Sequence, residues 1–258
     1  MPYNRLSTSK IAKIVGCHPN TVRIYEQWGF LPPVPRSQNG YRLFSEAHLD
    51  QMRLARTAFG RDWPGKPIRR SALALVRQSA SGDLGGALES GYKHLALVQS
   101  EIAQADAAAG YLQRWAEGTA TTPDGQSYSI AQAALLLGLT IDTLRGWDRS
   151  GLIDVPRNAS GYRQYGPAEI GRLRVIRMLR SAGYSTMAIL RMLLELDKWG
   201  PGDLRRLLDT PRPDEDALFA ADRWLSTLAD QEERARSIIA ILEEMIARQP
   251  KPSNRSPG

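Results

Sequence analysis

The chain carries one pattern twice. The first copy reads Ser7-Thr-Ser-Lys-Ile-Ala-Lys-Ile-Val-Gly16, Thr21-Val-Arg23-Ile-Tyr25 and Gly40-Tyr-Arg-Leu-Phe-Ser45. The second reads Ser129-Ile-Ala-Gln-Ala-Ala-Leu-Leu-Leu-Gly138, Thr143-Leu-Arg145-Gly-Trp147 and Gly161-Tyr-Arg-Gln-Tyr165. The offset is 122 positions for the first two blocks and 121 for the third, so one residue is deleted in the second copy's loop. A repeat this long is a small domain duplicated whole, because solenoid units run to roughly 20–50 residues. The 258 residues accommodate two such domains, each with a modest core.

In each copy, apolar residues recur at helical spacing behind a polar cap. Thr8 or Ser9 is placed to cap a first helix that lines up Ile11, Ala12 and Val15 and stops at Gly16. Pro19 or Asn20 opens a second short helix bearing Val22 and Tyr25, which stops at Gly29. Two short helices joined by a tight turn containing Gly make a helix-turn-helix. The second copy repeats it with Ser129, Gly138, Thr140 and Gly151. A stretch rich in Pro, Asn, Ser and Gly then runs from Phe30 to Phe44, and Asn39-Gly40 within it predicts a small two-stranded hairpin, or wing. Ser45 and Gly166-Pro167 open the next helices, with Leu49 and Met52 in one and Ile170, Leu173 and Ile176 in the other.

Each copy closes on a long helix with apolar residues spaced alternately by three and four. In the first copy these are Leu88, Gly91, Leu95, Val98, Ile102, Ala105, Ala109, Leu112 and Ala116. In the second they are Leu218, Ala221, Leu225, Leu228, Glu232, Ala235, Ile239, Leu242 and Ile246. That spacing is a coiled-coil seam, with Glu232 as a polar interruption. The predicted fold is mainly α. A first winged helix-turn-helix occupies 1–116 and ends in a long helix over 88–116. A linker follows over 117–127, then a second winged helix-turn-helix over 128–248 with a long helix over 218–246. The tail, 249–258, is expected to be disordered.

Lys and Arg total 34 against 27 Asp and Glu, a formal charge of +7, which favours an anionic partner and nucleic acid before a membrane surface. The single cysteine, Cys17, excludes an internal disulfide and reads as a small apolar residue in the helix-turn-helix turn. His18, His48 and His94 lack metal-ligand spacing, and no phosphate loop, nucleophile elbow or paired catalytic motif appears. No cofactor, no metal and no enzymatic activity are expected. No apolar stretch nears the roughly 18 residues of a membrane span, and the start lacks a signal peptide's apolar core. The expected location is the cytoplasm, on the nucleoid.

The ordered set of helix, Gly, Thr-x-Arg-x-aromatic and Gly-Tyr-Arg-x-aromatic resembles, in both copies, the MerR family of bacterial transcription regulators. The second copy extends the likeness through Arg177-Met-Leu-Arg-Ser-Ala-Gly183-Tyr-Ser-Thr-Met-Ala-Ile-Leu190; the first departs at Gly60-Arg-Asp-Trp-Pro-Gly-Lys-Pro67. The resemblance implies that the second helix and the wing contact DNA. Arg23 and Arg145 can pair with a phosphate or with the O6/N7 edge of guanine. Thr21 and Thr143 either donate to phosphate or support the turn. Tyr25 and Trp147 either touch the DNA backbone or pack the helix on the wing. Arg36 and Arg157 flank the wing loop, and Arg42 and Arg163 follow its Gly-Tyr; both sets can anchor phosphates. Tyr41 and Tyr162 reach the DNA backbone or pack the wing.

The copies also differ. The family commonly has an aromatic after the Arg, where this chain has Ile24 and Gly146; Gly146 weakens its helix by about 1 kcal/mol relative to Ala. Asn20 corresponds to Asp142, an acid that repels phosphate or accepts from cytosine N4. The two half-readers are therefore expected to recognise different sequences. Metal-sensing relatives cluster cysteines near the long helix, and drug-sensing relatives add a ligand domain after it. Here there is one cysteine and only twelve residues follow position 246, so neither device is expected. Trp63, Trp115, Trp199 and Trp224 read as core and seam packing rather than a pocket between helices.

Family members dimerise through antiparallel long helices. This chain owns two, so helices 88–116 and 218–246 are expected to pair within it as a monomeric pseudo-dimer; a homodimer with exchanged helices and four modules is the alternative. The implied partner is double-stranded promoter DNA bearing an imperfect inverted repeat, which the family bends and untwists. RNA polymerase is then engaged indirectly, through the promoter. An architectural or recombination-accessory DNA binder is the second function considered. No membrane partner is expected.

Overall fold

The computed structural model describes residues 6–59, 66–118, 126–200, 202–210 and 223–249. These residues form eleven helices. In the first copy, α1 spans Thr8–Val15, α2 Pro19–Gln27, α3 Glu46–Ala58, α4 Lys66–Ala80 and α5 Leu84–Ala116. In the second, α6 spans Ile130–Leu137, α7 Ile141–Arg149, α8 Pro167–Ser181, α9 Thr186–Trp199, α10 Leu204–Asp209 and α11 Trp224–Ala247. None of the described helices is long and apolar enough to cross a membrane.

Local chemistry sets the helix ends. Ser7, rather than Thr8 or Ser9, caps α1: its side chain accepts from the Lys10 amide at 3.3 Å. His18 caps α2, its Nδ1 accepting from the Asn20 amide at 3.2 Å while Pro19 takes the first turn. Ser129 and Thr140 do the same for α6 and α7. α1 and α6 both end on a left-handed glycine, Gly16 at φ 65° and Gly138 at φ 60°. The wing loops match as well. Ser37 N donates to Tyr41 O at 2.8 Å, and Gly40 N to Ser37 O at 2.9 Å; Asn158, Tyr162 and Gly161 repeat the pattern at 2.9 Å in both bonds. The left-handed residue of each loop is the glycine, which makes a three-residue hairpin loop closing on a bulge. The expected two-stranded hairpin is thus reduced to one bridge per wing, Arg36 with Arg42 and Arg157 with Arg163. A second bridge, Leu6 with Phe44 and Tyr128 with Tyr165, ties the wing's return to the start of its module.

The chain divides into two compact units, Met1–Gln99 with Asp230–Gly258, and Ser100–Ala229. In the first unit α1 packs on α2 and α3, and α3 on α4. Its core holds Leu6, Ile11, Val22, Phe44, Met52 and Leu75, and the same cluster takes in Ile238 and Leu242 of α11. A helix from the second repeat therefore completes the core of the first. Arg248, just beyond α11, closes this contact by donating to Asp50 of α3 at 2.8 Å.

The long helices α5 and α11 touch within this unit. Ile239 and Leu242 lie over Gly91, Tyr92 Oη donates to Glu243 at 3.0 Å, and Gln99 Nε2 donates to Glu232 at 2.9 Å. The seam differs from the sequence expectation by one residue at some positions, while Ala105, Ala109, Leu112 and Ile239 are buried where expected. Gly91, Val98, Leu228, Ala235 and Leu242 are buried as expected. Ala87 and His94 replace Leu88 and Leu95, however, and Gln231 replaces Glu232, which is drawn toward solvent by Gln99 and Arg236. Leu218 and Ala221 lie outside the described residues, as do Trp63, most of the 117–127 segment and nearly all of the tail.

In the second unit α6 packs on α7 and α8, α8 on α9, and α9 on α10. Leu144, Leu152, Tyr165, Leu173, Ile176 and Tyr184 are buried there. Trp224 is also buried, resting against the bare Cα of Gly183; a Cβ at that glycine would meet the indole at 2.5 Å. This tryptophan is core, as expected.

The caps of α3 and α8 also differ between the copies. In α3 the third helical residue is His48, whose Nδ1 accepts from the Ser45 amide at 3.0 Å and whose Nε2 donates to Pro33 O at 3.3 Å. In α8 the equivalent is Glu169, which accepts from Gly166 N at 2.9 Å. Burial pushes the His48 imidazole below its ordinary range, opposed by its bond to Pro33 and by Glu26. The neutral ring is the one that caps, because a protonated Nδ1 cannot accept.

Two outcomes follow from this packing. Leu242→Ala should cost about 2–5 kcal/mol, typical of a buried leucine truncated to alanine. Hydrogen exchange should then show lost protection in residues 49–80, far away in sequence; loss confined to 224–247 would contradict the shared core. A folded-state pKa below the unfolded one means that His48 contributes stability fully above the unfolded value, near 6.5, and loses it as pH falls through the folded value. Chemical denaturation between pH 7.5 and 5 should therefore fall less steeply for His48→Gln, which keeps a capping side chain without the titration. Equal slopes would remove His48 from the pH response.

Candidate nucleic-acid interface

Each module holds a second helix and a wing in one frame, and a guanidinium–carboxylate contact fixes the two together. Arg42 of the first wing donates to Glu26, on the last turn of α2, at 2.5 Å. Arg163 of the second wing donates through Nε to Asp148, on α7, at 2.8 Å. All four side chains are largely covered, between 17% and 28% exposed. Such bonds between charged partners are short and directional. They make Arg42 and Arg163 the struts that set wing orientation. Neither carboxylate stood out in the sequence, although Glu26 and Asp148 hold the same place in both copies, three residues after Arg23 and Arg145.

Arg36 and Arg157 brace the wing loop from the other strand. Their guanidiniums donate to the carbonyls of Gly40 and Gly161, at 3.4 and 2.9 Å, while the residues stay exposed. Arg36 also lies 3.9 Å from Glu26. Between them, Tyr41 and Tyr162 stand out at the loop tips, 74% and 72% exposed. These rings do not pack the wing.

On the second helices, Arg23 and Arg145 are both exposed. Arg145 sits 3.5 Å from Asp142, a residue that is itself 90% exposed. Asn20 takes that place in the first module. Thr21 is half-buried, and the Thr143 hydroxyl meets the capping Thr140 hydroxyl at 2.8 Å, the turn-supporting geometry. Tyr25 is turned inward, 6% exposed, with its ring against Phe30 and Phe59. Burial raises its phenol above the ordinary range, and a hydrogen bond with Arg56 opposes this. Of its two sequence readings the structure gives Tyr25 the packing one. Trp147, its counterpart, is half-buried.

Cys17 packs partly against the core, where burial raises its thiol, with Arg56 acting the other way. Such a thiol is protonated at neutral pH and unreactive. Among the described residues no group of His, Cys, Asp and Glu could hold a metal ion. The interface therefore presents, twice, an exposed arginine on a helix and an exposed tyrosine on a braced wing. Such a surface can meet phosphates and base edges.

Comparison with known proteins gives the family. The profile of the MerR HTH family of regulatory proteins matches residues 6–73 and again residues 128–196. The HTH-type transcriptional regulator CueR of Escherichia coli O6:H1 is 40% identical over 53 residues, 20% of this chain and 39% of that protein. A probable heavy metal-dependent transcriptional regulator of Haemophilus influenzae is 39% identical over 66 residues, 25% of this chain and 52% of that one. The chain thus spans between about two fifths and half the length of these curated relatives. A crystal structure of HiNmlR, a MerR family regulator lacking the sensor domain, bound to promoter DNA, aligns with 47% of this chain and 80% of its own. Its identity is 23% and its TM-score 0.28, a likeness too slight to argue from. With the family profile met twice, over just more than half of its residues, this chain belongs to the MerR HTH family of regulatory proteins, which are transcription regulators rather than enzymes.

Proposed function

We propose that the chain is a double-stranded-DNA-binding transcription regulator that places one module on each half of an imperfect inverted repeat in a promoter and distorts the duplex between them. It acts in the cytoplasm, and it reaches RNA polymerase through the altered promoter. The observation that carries this reading is the pairing of two like interfaces with a helix exchange inside one chain. The contacts between α5 and α11 rise in one helix as they fall in the other, from Tyr92 with Glu243 to Gln99 with Glu232. That is the order of an antiparallel pair, and it lets one polypeptide do the work of two subunits.

The repeat is imperfect because the readers differ. Arg23 acts alone, whereas Arg145 is joined to Asp142, whose carboxylate can accept from cytosine N4. Arg42 and Arg163 contribute by holding the wings; Arg36, Arg157, Tyr41 and Tyr162 meet the backbone at the wing tips. The positive surplus supplies affinity that does not depend on sequence, and duplex distortion costs a few kcal/mol that the second module's contacts offset.

An operator selected from bacterial genomic fragments provides the test. Arg23→Ala and Arg145→Ala should each weaken binding by about 1–3 kcal/mol, roughly 5- to 150-fold, and the double variant by about the sum. Fluorescence anisotropy against salt concentration should also show steep loss of wild-type affinity. Wild-type affinity in the double variant would remove both arginines from the interface.

A further inference from the structure

The first module holds a cavity of about 480 Å³ that the DNA reading leaves unused. Its walls are four aromatic rings: Tyr25 from α2, Trp28 at the carboxyl end of α2, Phe30 and Phe59. The rings lie near one another at varied tilts, with centroids 5.5 Å apart for Tyr25 and Phe30, 5.6 Å for Trp28 and Phe30, and 4.7 Å for Phe30 and Phe59. Trp28 is 56% exposed, an unusual cost for an indole. The volume falls within the roughly 300–1,000 Å³ of small-molecule sites.

Charge decides what such a box holds. Four rings alone would suit a cation. Here the lining adds the guanidiniums of Arg69 and Arg77 of α4 and, among the described residues, no carboxylate. Arg77 Cζ lies 5.6 Å from the centre of the Phe30 ring, so a positive group already faces that wall. A cationic ligand would be repelled. A flat aromatic anion satisfies both parts, stacking on the rings while its acid group meets Arg77. The second copy has no such box: Ser150, Leu152 and Arg180 stand where the first has Trp28, Phe30 and Phe59.

We propose that this cavity is a binding site for a small aromatic carboxylate, present in the first module alone. Because Tyr25 and Trp28 belong to α2 and its cap, a bound ligand touches the helix that carries Arg23 and can adjust its reading. The site rests on the rings and charges of the first module, and it stands whether or not the DNA reading does.

Isothermal titration of the full chain with 2-naphthoate, without DNA, tests it. 2-Naphthylmethylammonium serves as the control of opposite charge. One naphthoate per chain should bind, at least tenfold more tightly than the ammonium. Trp28→Ser, which installs the second copy's residue at an exposed position, and Arg77→Gln should each weaken naphthoate at least tenfold. Thermal melts should confirm that both variants fold as the wild type does. No detectable binding, equal affinity for the two ions, or wild-type affinity in either folded variant would overturn the assignment.

Discussion

The first module is not closed by its own repeat. Ile238 and Leu242 of α11 share one buried cluster with Leu6, Ile11, Phe44 and Leu75, and Arg248 clamps the helix end onto Asp50. That insertion completes the buried core of the first unit. A small helical module buries limited surface, and about two buried aliphatic side chains contribute several kcal/mol against a total that is rarely more than 15. Here one chain supplies both the inserted helix and the core that receives it. A contact made within one chain has an effective concentration that dilution does not set.

Duplication also allows the copies to diverge. The frame is held constant: a left-handed glycine after α1 and α6, one in each wing loop, and a carboxylate at the end of the second helix that grips the wing arginine. Single positions around that frame differ between the copies. Asp142 has replaced Asn20, Glu169 occupies the place of the buried His48, and the aromatic box around Trp28 has no equivalent in the second copy. A symmetric dimer cannot make such differences, because any substitution appears on both sides. An asymmetric regulator can assign one half to a second task.

Much of this was legible in the sequence. The paired helices, their glycine stops, the wings and the long helices all follow from local spacing, since caps and turns are decided within a few residues. Apart from one helix cap, what escaped was decided by tertiary packing. The α1 cap fell to Ser7 because its side chain, one residue earlier than expected, reaches the Lys10 amide. The seam expectation favoured Leu88 and Leu95, but the helices bring small or polar residues, Ala87, His94 and Gln231, to the buried stripe and leave those leucines half-covered. Tyr25 looked equally fit for DNA or core until Phe30 and Phe59 were found around it. The struts Glu26 and Asp148 were hidden because an acid near an arginine is ordinary on any helix; only their recurrence in both copies marks them.

The mass of the free protein in solution tests the central claim most directly. Sedimentation equilibrium at micromolar concentration should give a single chain of 28.6 kDa, unchanged on dilution, because α11 is already spent on its own first module. A stable species of twice that mass, present without DNA, would mean that the helix is exchanged between chains and would contradict the account.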